Sequence, residues 1–555
     1  MDNTAYAESV TGANALHGDP DVVVIGSGHN GLTCAAYLAR AGLTVVVVEG
    51  EERIGGGTAT RELIMPGFRH NTCGNYFHGF ENYPIMRDLE LDRHGFDYII
   101  PDVQQGYVFS DDRALVIHRD PTASRESISR FSPKDADSWA GLSERFARAL
   151  PLLVALEFTP PPLSGDLAQQ ALDKGMIDSA LSDELSSLAG MTPYTAVDRY
   201  FESEQMRVLM KKLIHVVQAT NTPGVGALLP AFFLNLTRNG LARGGTQSLP
   251  DALASVVREN GGVVITGRPV TRILLEGDRA IGVELRDKDE IRASRAVVSG
   301  VSFTQLVEMT GYDHFAPTVQ AKARGWDWTS GGSLATIHLA LREPPHYLAE
   351  AFDPDVARAY NISFGADDSD QLIESMKDVT GERFPRLPVG NGSCNTVHDP
   401  SYAEDGHVAF WWPFAPYMVD GDPANWDRRR GEYEGLLLDV WKGVTTNLDD
   451  RNVLGVHMRS PLDVTRGNAA MRNGAVRMGP YTQGQSRINR PHPDLADYRI
   501  PGISGLYHAS STSPNGGGLS GAAGYCAAGA ITSDIDANRW WPEMSLEYAD
   551  DIAVR

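Results

Sequence analysis

Cysteine is scarce. Cys34, Cys73, Cys394 and Cys526 are the four in 555 residues, and no two form a C-x-x-C pair. This excludes a disulfide frame, a zinc ribbon and a redox dithiol, and it suits thiols kept reduced in a cytoplasm. Positive charge is also in short supply, with 49 Lys+Arg against 71 Asp+Glu and a formal net charge of −22. Nucleic-acid binding needs clustered cations, and the chain has no such cluster. No apolar run reaches the roughly 18–20 residues that span a bilayer. Residues 1–20 lack the basic and apolar regions of a secretory signal and read as a flexible tail. There is no G-x-S-x-G, H-E-x-x-H or Walker loop, so hydrolase, zinc-protease and NTPase readings have no motif. The expected location is cytoplasmic. Any membrane contact would be peripheral, through an apolar patch, because a net charge of −22 gains nothing from anionic lipid.

What is present is a globular composition, 42% hydrophobic and 22% charged, with 56 glycines. The length predicts two domains. Residues 21–25 (DVVVI) and 44–48 read as β-branched strands buried on both faces, and 32–41 between them as a helix, so the chain opens with a βαβ unit. Amphipathic helices follow over 135–156 and 204–219. The apolar stretch 225–236 reads as a core helix more than as a substrate tunnel. Short strands return over 263–285 and 296–299, and the region 330–495 alternates strand-like runs with Pro, Asp and Gly loops, as in a mixed or antiparallel sheet. Near the end, 505–509 reads as a strand, 516–518 as a turn and 519–531 as an Ala/Gly-rich helix.

The segment Gly26-Ser27-Gly28-His29-Asn30-Gly31 leaves the first strand and opens the first helix. Gly26 allows the tight turn, Gly28 lets a pyrophosphate approach the backbone, and Gly31 lets helix and strand pack closely. Glu49 ends the second strand, where a carboxylate accepts ribose hydroxyls and repels a 2′-phosphate, so NADP is disfavoured. No second motif of this kind follows a strand, hence no separate NAD(P)H domain is expected.

Immediately downstream, Glu51 to Thr58 (EERIGGGT) brings Arg53 and three glycines. The loop resembles the second phosphate-contacting segment of flavoproteins of the glutathione reductase and amine oxidase type. Together with 28–42, 241–253 (LARGGTQSLPDAL) and 505–528, it resembles the phytoene desaturase-like superfamily of FAD oxidoreductases. The nearest branch holds the pyridine nucleotide-disulfide oxidoreductase domain 2 proteins and the cyanobacterial-type β-carotene ketolases.

That resemblance implies an α/β fold, a Rossmann-type FAD-binding domain interleaved with a mixed-sheet and helical substrate domain. The FAD-binding domain would take 21–84, 240–310 and 495–541, the substrate domain 85–239 and 311–494, and 542–555 would be a C-terminal tail. FAD is the implied cofactor. Gly26, Gly28, Asn30 and Gly31 would meet its pyrophosphate, Glu49 the adenosine ribose, and Arg53, Gly55 and Gly56 the phosphate-ribitol stretch. Val270 would offer backbone bonds to adenine. Gly517, Gly518 and Leu519 would face the pyrimidine edge of the flavin, where N–H donors stabilise the negative charge of the reduced ring. Family members commonly carry Gly-x-x-x-His-Pro before the triple glycine. Here Ser510 and Asn515 depart from it, and Asn515 is a candidate hydrogen-bond donor to flavin or substrate.

Hydride transfer to a flavin needs no protein nucleophile, so catalytic side chains are weakly marked. His78, His338 and His508 are the candidates for proton handling, each more often structural than catalytic. Arg477, Tyr481, Gln485 and Arg490 fall in a region that approaches the flavin in related proteins. Cys73 or His78 as a covalent flavin anchor is a minority reading. In Phe410-Trp411-Trp412-Pro413-Phe414 alternate aromatics go to opposite sheet faces, and some can wall a cavity. The function expected is an FAD-dependent oxidoreductase that dehydrogenates an apolar or aromatic small molecule and is reoxidised by oxygen or a quinone. The alternatives are a carotenoid or lipid ketolase or isomerase and, from another class, a non-catalytic flavin-binding interaction protein. Oligomeric state is not legible.

Overall fold

The computed structural model describes residues 18–553. Residues 1–17 of the expected N-terminal tail lie outside them. The opening βαβ unit is β1 (Val22–Ile25), α1 (His29–Arg40) and β2 (Val45–Val48). It joins β3 (Val263–Ile265), β4 (Ala296–Ser299) and β5 (Leu506–His508) in a five-stranded parallel sheet of order β3-β2-β1-β4-β5. Parallel strands covered on both faces should be apolar throughout, and every residue of β1, β2 and β4 is buried. Alternate residues divide between two cores. Val22 and Val24 meet α1 and its neighbours, whereas Val23 and Ile25 meet Phe303, Leu306 and the strands Val270–Glu276 and Arg279–Leu285.

The chain's last helices close this layer. α2 (Ala522–Asp534) crosses α1 so tightly that a Cβ on Gly524 would lie 2.2 Å from the Asn30 carbonyl oxygen. Residues 542–555, expected as a tail, instead carry a packed helix over Leu546–Ala553. Leu546, Ala549 and Ile552 recur at helical spacing and are buried. Tyr548 donates to Asp88 Oδ1 at 2.6 Å, and Tyr37 of α1 donates to Oδ2 of the same carboxylate at 2.8 Å.

The second sheet has eight strands and is mixed. The strands Val453–Arg459, Thr336–Leu341, His407–Ala415, Gly390–Cys394 and Asn361–Phe364 run antiparallel in that order, and Val103–Val108 pairs parallel to Asn361–Phe364. One face of this sheet is apolar: Ile337, Ile362, Trp411 and Met458 pack under Trp426, Tyr433 and Trp441 of the long helix Asn425–Gly443. Helices between Pro121 and Asn235 cover the remaining flank. No described helix is long and apolar enough to cross a membrane.

Candidate active site

A cavity of about 880 Å³ lies between the two sheets, inside the roughly 300–1,000 Å³ range of small-molecule sites. The first βα turn forms one wall. Gly28 caps α1 in an extended conformation with no side-chain hydrogen bond to the first turn, which leaves the leading N–H groups to a ligand. A Cβ on Gly28 would meet nothing within 4 Å, because the backbone there faces open space. Gly31 does not line the cavity. A Cβ on it would lie 2.5 Å from the Gly26 carbonyl oxygen, so it sets how close α1 comes to the turn. Gly55 is also behind the wall, and its N–H donates to Ser27 O at 3.1 Å, bringing Gly56 against Gly28.

Glu49 closes this end. Its Oε2 accepts from Ser27 N at 2.8 Å and Ser27 Oγ at 2.6 Å, and its Oε1 accepts from Glu51 N at 2.9 Å. Three bonds hold the carboxylate in place and leave acceptor capacity for a ligand hydroxyl. Arg53, exposed at the rim, and Val270 line the same end.

Across the cavity stands the loop before α2. Three successive carbonyls of this loop are held by side chains: Gly516 O accepts from Asn30 Nδ2 at 3.1 Å, Gly517 O from Arg477 Nη1 at 2.9 Å, and Gly518 O bonds His29 Nε2 at 2.8 Å. Burial lowers the His29 pKa to about 4, so its ring is neutral at pH 7 and Nε2 carries the proton to the carbonyl. In a trans peptide the next N–H points opposite to the carbonyl. The N–H groups of Gly517, Gly518 and Leu519 therefore aim away from their tethers, and all three residues line the cavity. Gly518, like Gly28, faces open space. Gly517 admits Tyr481, whose hydroxyl would stand 2.1 Å from a Cβ there. Arg490 fixes the loop that brings Arg477 and Tyr481: its buried guanidinium donates to the carbonyls of Arg477, Gly479, Gln485 and Ser511.

Of the histidines singled out from sequence, His78 lines the cavity. Burial, reinforced by Arg477, lowers its pKa to about 4, so it too is neutral. His338 and His508 do not line it. His338 packs against the His70 ring at 5.1 Å between centroids. His508 bonds Ser299 O and the Thr512 and Ser510 hydroxyls, a buried knot that shapes the loop after β5. Asn515 turns away as well. Its Nδ2 donates to the carbonyls of Leu156 and Thr159 at 3.3 Å, which pins the loop to the helix Leu150–Glu157, and its φ of +61° suits asparagine. Cys73 lines the cavity, but burial raises its thiol pKa, which disfavours the thiolate that covalent attachment needs. Sequence reasoning missed His29 as a tether. It also missed Gln105, Asn239 and Asn361, which line the far end with Phe232 and Trp412.

Two uncapped glycine-walled backbones face each other across a long cavity, and Asn30 Oδ1 between them is buried without a partner. These donors fit a phosphate-bearing cofactor that spans from Glu49 to the loop before α2. Comparison with known proteins gives the cofactor its identity. A family model described as flavin containing amine oxidoreductase matches residues 31–425. One of the subunits of limonene dehydrogenase from Castellaniella defragrans is 29% identical over 544 residues, covering 94% of this chain and 96% of its own. Pyridine nucleotide-disulfide oxidoreductase domain-containing protein 2 of Rattus norvegicus is 28% identical over 568 residues, covering 96% of each. Among solved structures, cyclohexylamine oxidase from Brevibacterium oxydans matches with a TM-score of 0.57 at 18% identity, over 94% of this chain and 100% of that one, a likeness of fold. The chain belongs to the flavin containing amine oxidoreductase family and is an FAD-dependent oxidoreductase.

Proposed function

We propose that this enzyme dehydrogenates an apolar or aromatic small molecule. When bound, FAD supplies the hydride acceptor, and oxygen or a quinone takes the electrons onward. The observation that carries the reading is the continuity of one cavity from the α1 N-terminus to a compartment walled by Leu213, Val216, Val217, Phe232 and Trp412. The names of two relatives, limonene dehydrogenase and hydroxyneurosporene desaturase, support it.

In this reading Gly26, Gly28 and Asn30 shape the pyrophosphate cradle, Glu49 takes the adenosine ribose, and Arg53 and Gly56 border the phosphate-ribitol stretch, while Gly31 and Gly55 act from behind the wall by setting how closely the backbone packs. Val270 borders adenine, and the N–H groups of Gly517, Gly518 and Leu519 meet the flavin pyrimidine edge. Residues 21–84, 240–310 and 495–541 serve the cofactor, and 85–239 and 311–494 serve the substrate. Removing hydride from carbon asks the protein to bind, orient and exclude water. Neutral His78, whose polar neighbour is the Asn239 amide, can take or give one proton at Nδ1. A cytoplasmic setting agrees with four unpaired cysteines. Membrane contact, if made, would use the exposed Leu163 and Ile488.

The test is anaerobic mixing of flavin-loaded enzyme with candidate substrates, followed by bleaching of the visible flavin band and mass spectrometry of the product. Loss of two hydrogens supports the proposal. A flavin that no candidate reduces, in a protein that retains it fully, overturns it.

A further inference from the structure

The eight-stranded sheet shows the cavity a face that an all-apolar substrate does not explain. Register sets Gln105 beside Asn361, Ser363 beside Asn391, and Asn391 beside Trp412. Their alternates Ile362 and Trp411 enter the apolar core on the other side. Opposite the sheet, His78 and Asn239 are cross-strand partners. Gln105 and Asn239 are 1% exposed and Asn361 is 4% exposed, yet all three line the cavity.

Their polar atoms are not spent on the protein. Gln105 Oε1, Asn361 Oδ1 and Trp412 Nε1 are buried and make no hydrogen bond within the chain, while the His78 ring and the Asn239 amide have only each other as polar neighbours. A buried polar atom left without a partner costs about 1–3 kcal/mol, and native cores hold few of them. Such atoms gathered on one cavity point to a ligand that satisfies them.

The charges there narrow its chemistry. Among the described residues, lining carboxylates are confined to Glu49, Glu51 and Glu52, at the opposite end. The charge nearest the polar floor is the cation Arg477, whose field acts on His78; Lys212 behind it, which donates to Ser363 Oγ at 2.7 Å, has its pKa pushed down to about 7 by burial. An ammonium group would find no counter-charge, while amides and a neutral imidazole give and accept hydrogen bonds, and an indole N–H gives one, to a neutral hydroxyl.

Resting on the proposed dehydrogenase reading, we infer that the substrate couples an apolar skeleton to a hydroxyl, which can donate to Gln105 Oε1 or Asn361 Oδ1 and accept from Asn239 Nδ2 or Trp412 Nε1. That group seats on the Gln105–Asn361 and His78–Asn239 pairs. Hydrocarbons lose these bonds, and an ammonium can donate to the amide oxygens but brings a charge that no lining carboxylate at this end matches.

The experiment uses flavin-loaded full-length enzyme and three probes on one skeleton: limonene, perillyl alcohol and perillylamine. Binding is read by calorimetry and by perturbation of the flavin spectrum. The alcohol should bind at least about tenfold tighter than either of the others, and Asn239→Leu with Asn361→Leu should shrink that preference several-fold. A second readout needs no probe: the same double variant should melt at a higher temperature, because polar atoms held for a ligand are unsatisfied in the free enzyme. Loss of flavin from the variant would give these groups to the cofactor and overturn the inference, as would a lower melting temperature. Probes that bind alike, or do not bind, also overturn it. If limonene reduces the flavin as readily as the alcohol, the inference fails while the dehydrogenase reading stands. If the alcohol is preferred but no flavin is reduced, the reverse holds.

Discussion

The two sheets treat polar groups in opposite ways. The parallel sheet is buried and mostly valine in its central strands, and it presents main-chain groups to the cavity in glycine turns and at helix N-termini. The eight-stranded sheet is apolar on one face only and turns amides and an indole toward the cavity, opposite the separate strand pair that carries His78 and Asn239. Backbone recognition is indifferent to side-chain chemistry and suits a cofactor shared by a family. Side-chain recognition is where one enzyme differs from its relatives.

The sharpest way to break this contrast is to add atoms where backbone meets backbone. Gly524→Val should abolish flavin retention and most of the folded protein, since even a Cβ would stand 2.2 Å from Asn30 O. Flavin absorbance per polypeptide and thermal melting read it. Next comes Glu49→Ala, which removes a charged acceptor and should weaken FAD binding about 10- to 150-fold, the equivalent of about 1.5–3 kcal/mol, measured by reconstitution of apoprotein. If Glu49→Ala binds FAD normally, the carboxylate serves only Ser27 and Glu51.

Acid sharpens the comparison more gently, because both regions bury neutral histidine. Burial holds His29, His70, His78, His215 and His398 at about 4 and His508 at about 3, against 6.5 when unfolded. Between pH 6.5 and about 4 the unfolded chain binds more protons than the native one, so stability is full above 6.5 and falls as the pH drops. Glu157, raised to about 7 by burial, and Asp88 and Asp251, also raised by burial, work in the opposite sense, but they are outnumbered by the lowered histidines, to which His338, His407 and His457 add. The melting temperature should fall by several degrees across that window, and a constant value would contradict the buried neutral imidazoles. The smallest effect concerns turnover. With His78 at about 4, the rate of flavin reduction by substrate should show no ionisation of this ring between pH 5 and 8, and stopped-flow reduction would detect one.

Legibility followed the same division. The turn at 26–31, Glu49 and the glycines at 516–518 announce themselves because close backbone approach demands glycine at fixed spacing. The parallel strands announce themselves because burial on both faces demands unbroken valine. Gln105 and Asn361 form one floor through a register between segments far apart in sequence, and no local pattern signals it. His29 sat in a variable position of the motif, and its partner, Gly518 O, lies 489 residues away. Asn515, His338 and His508 carried the expected chemistry in their side chains but spend it on carbonyls, hydroxyls and a neighbouring ring. The last helix was misread as a tail although Leu546, Ala549 and Ile552 keep a helical spacing.

The tethers from His29, Asn30 and Arg477 to three consecutive carbonyls make the cofactor's two walls a joint product of the chain's beginning and its end. Residues 26–31 and 516–519 must therefore be folded together before the full cradle exists. A fragment that stops before residue 516 lacks the second wall and should retain no flavin, however well its first sheet has formed.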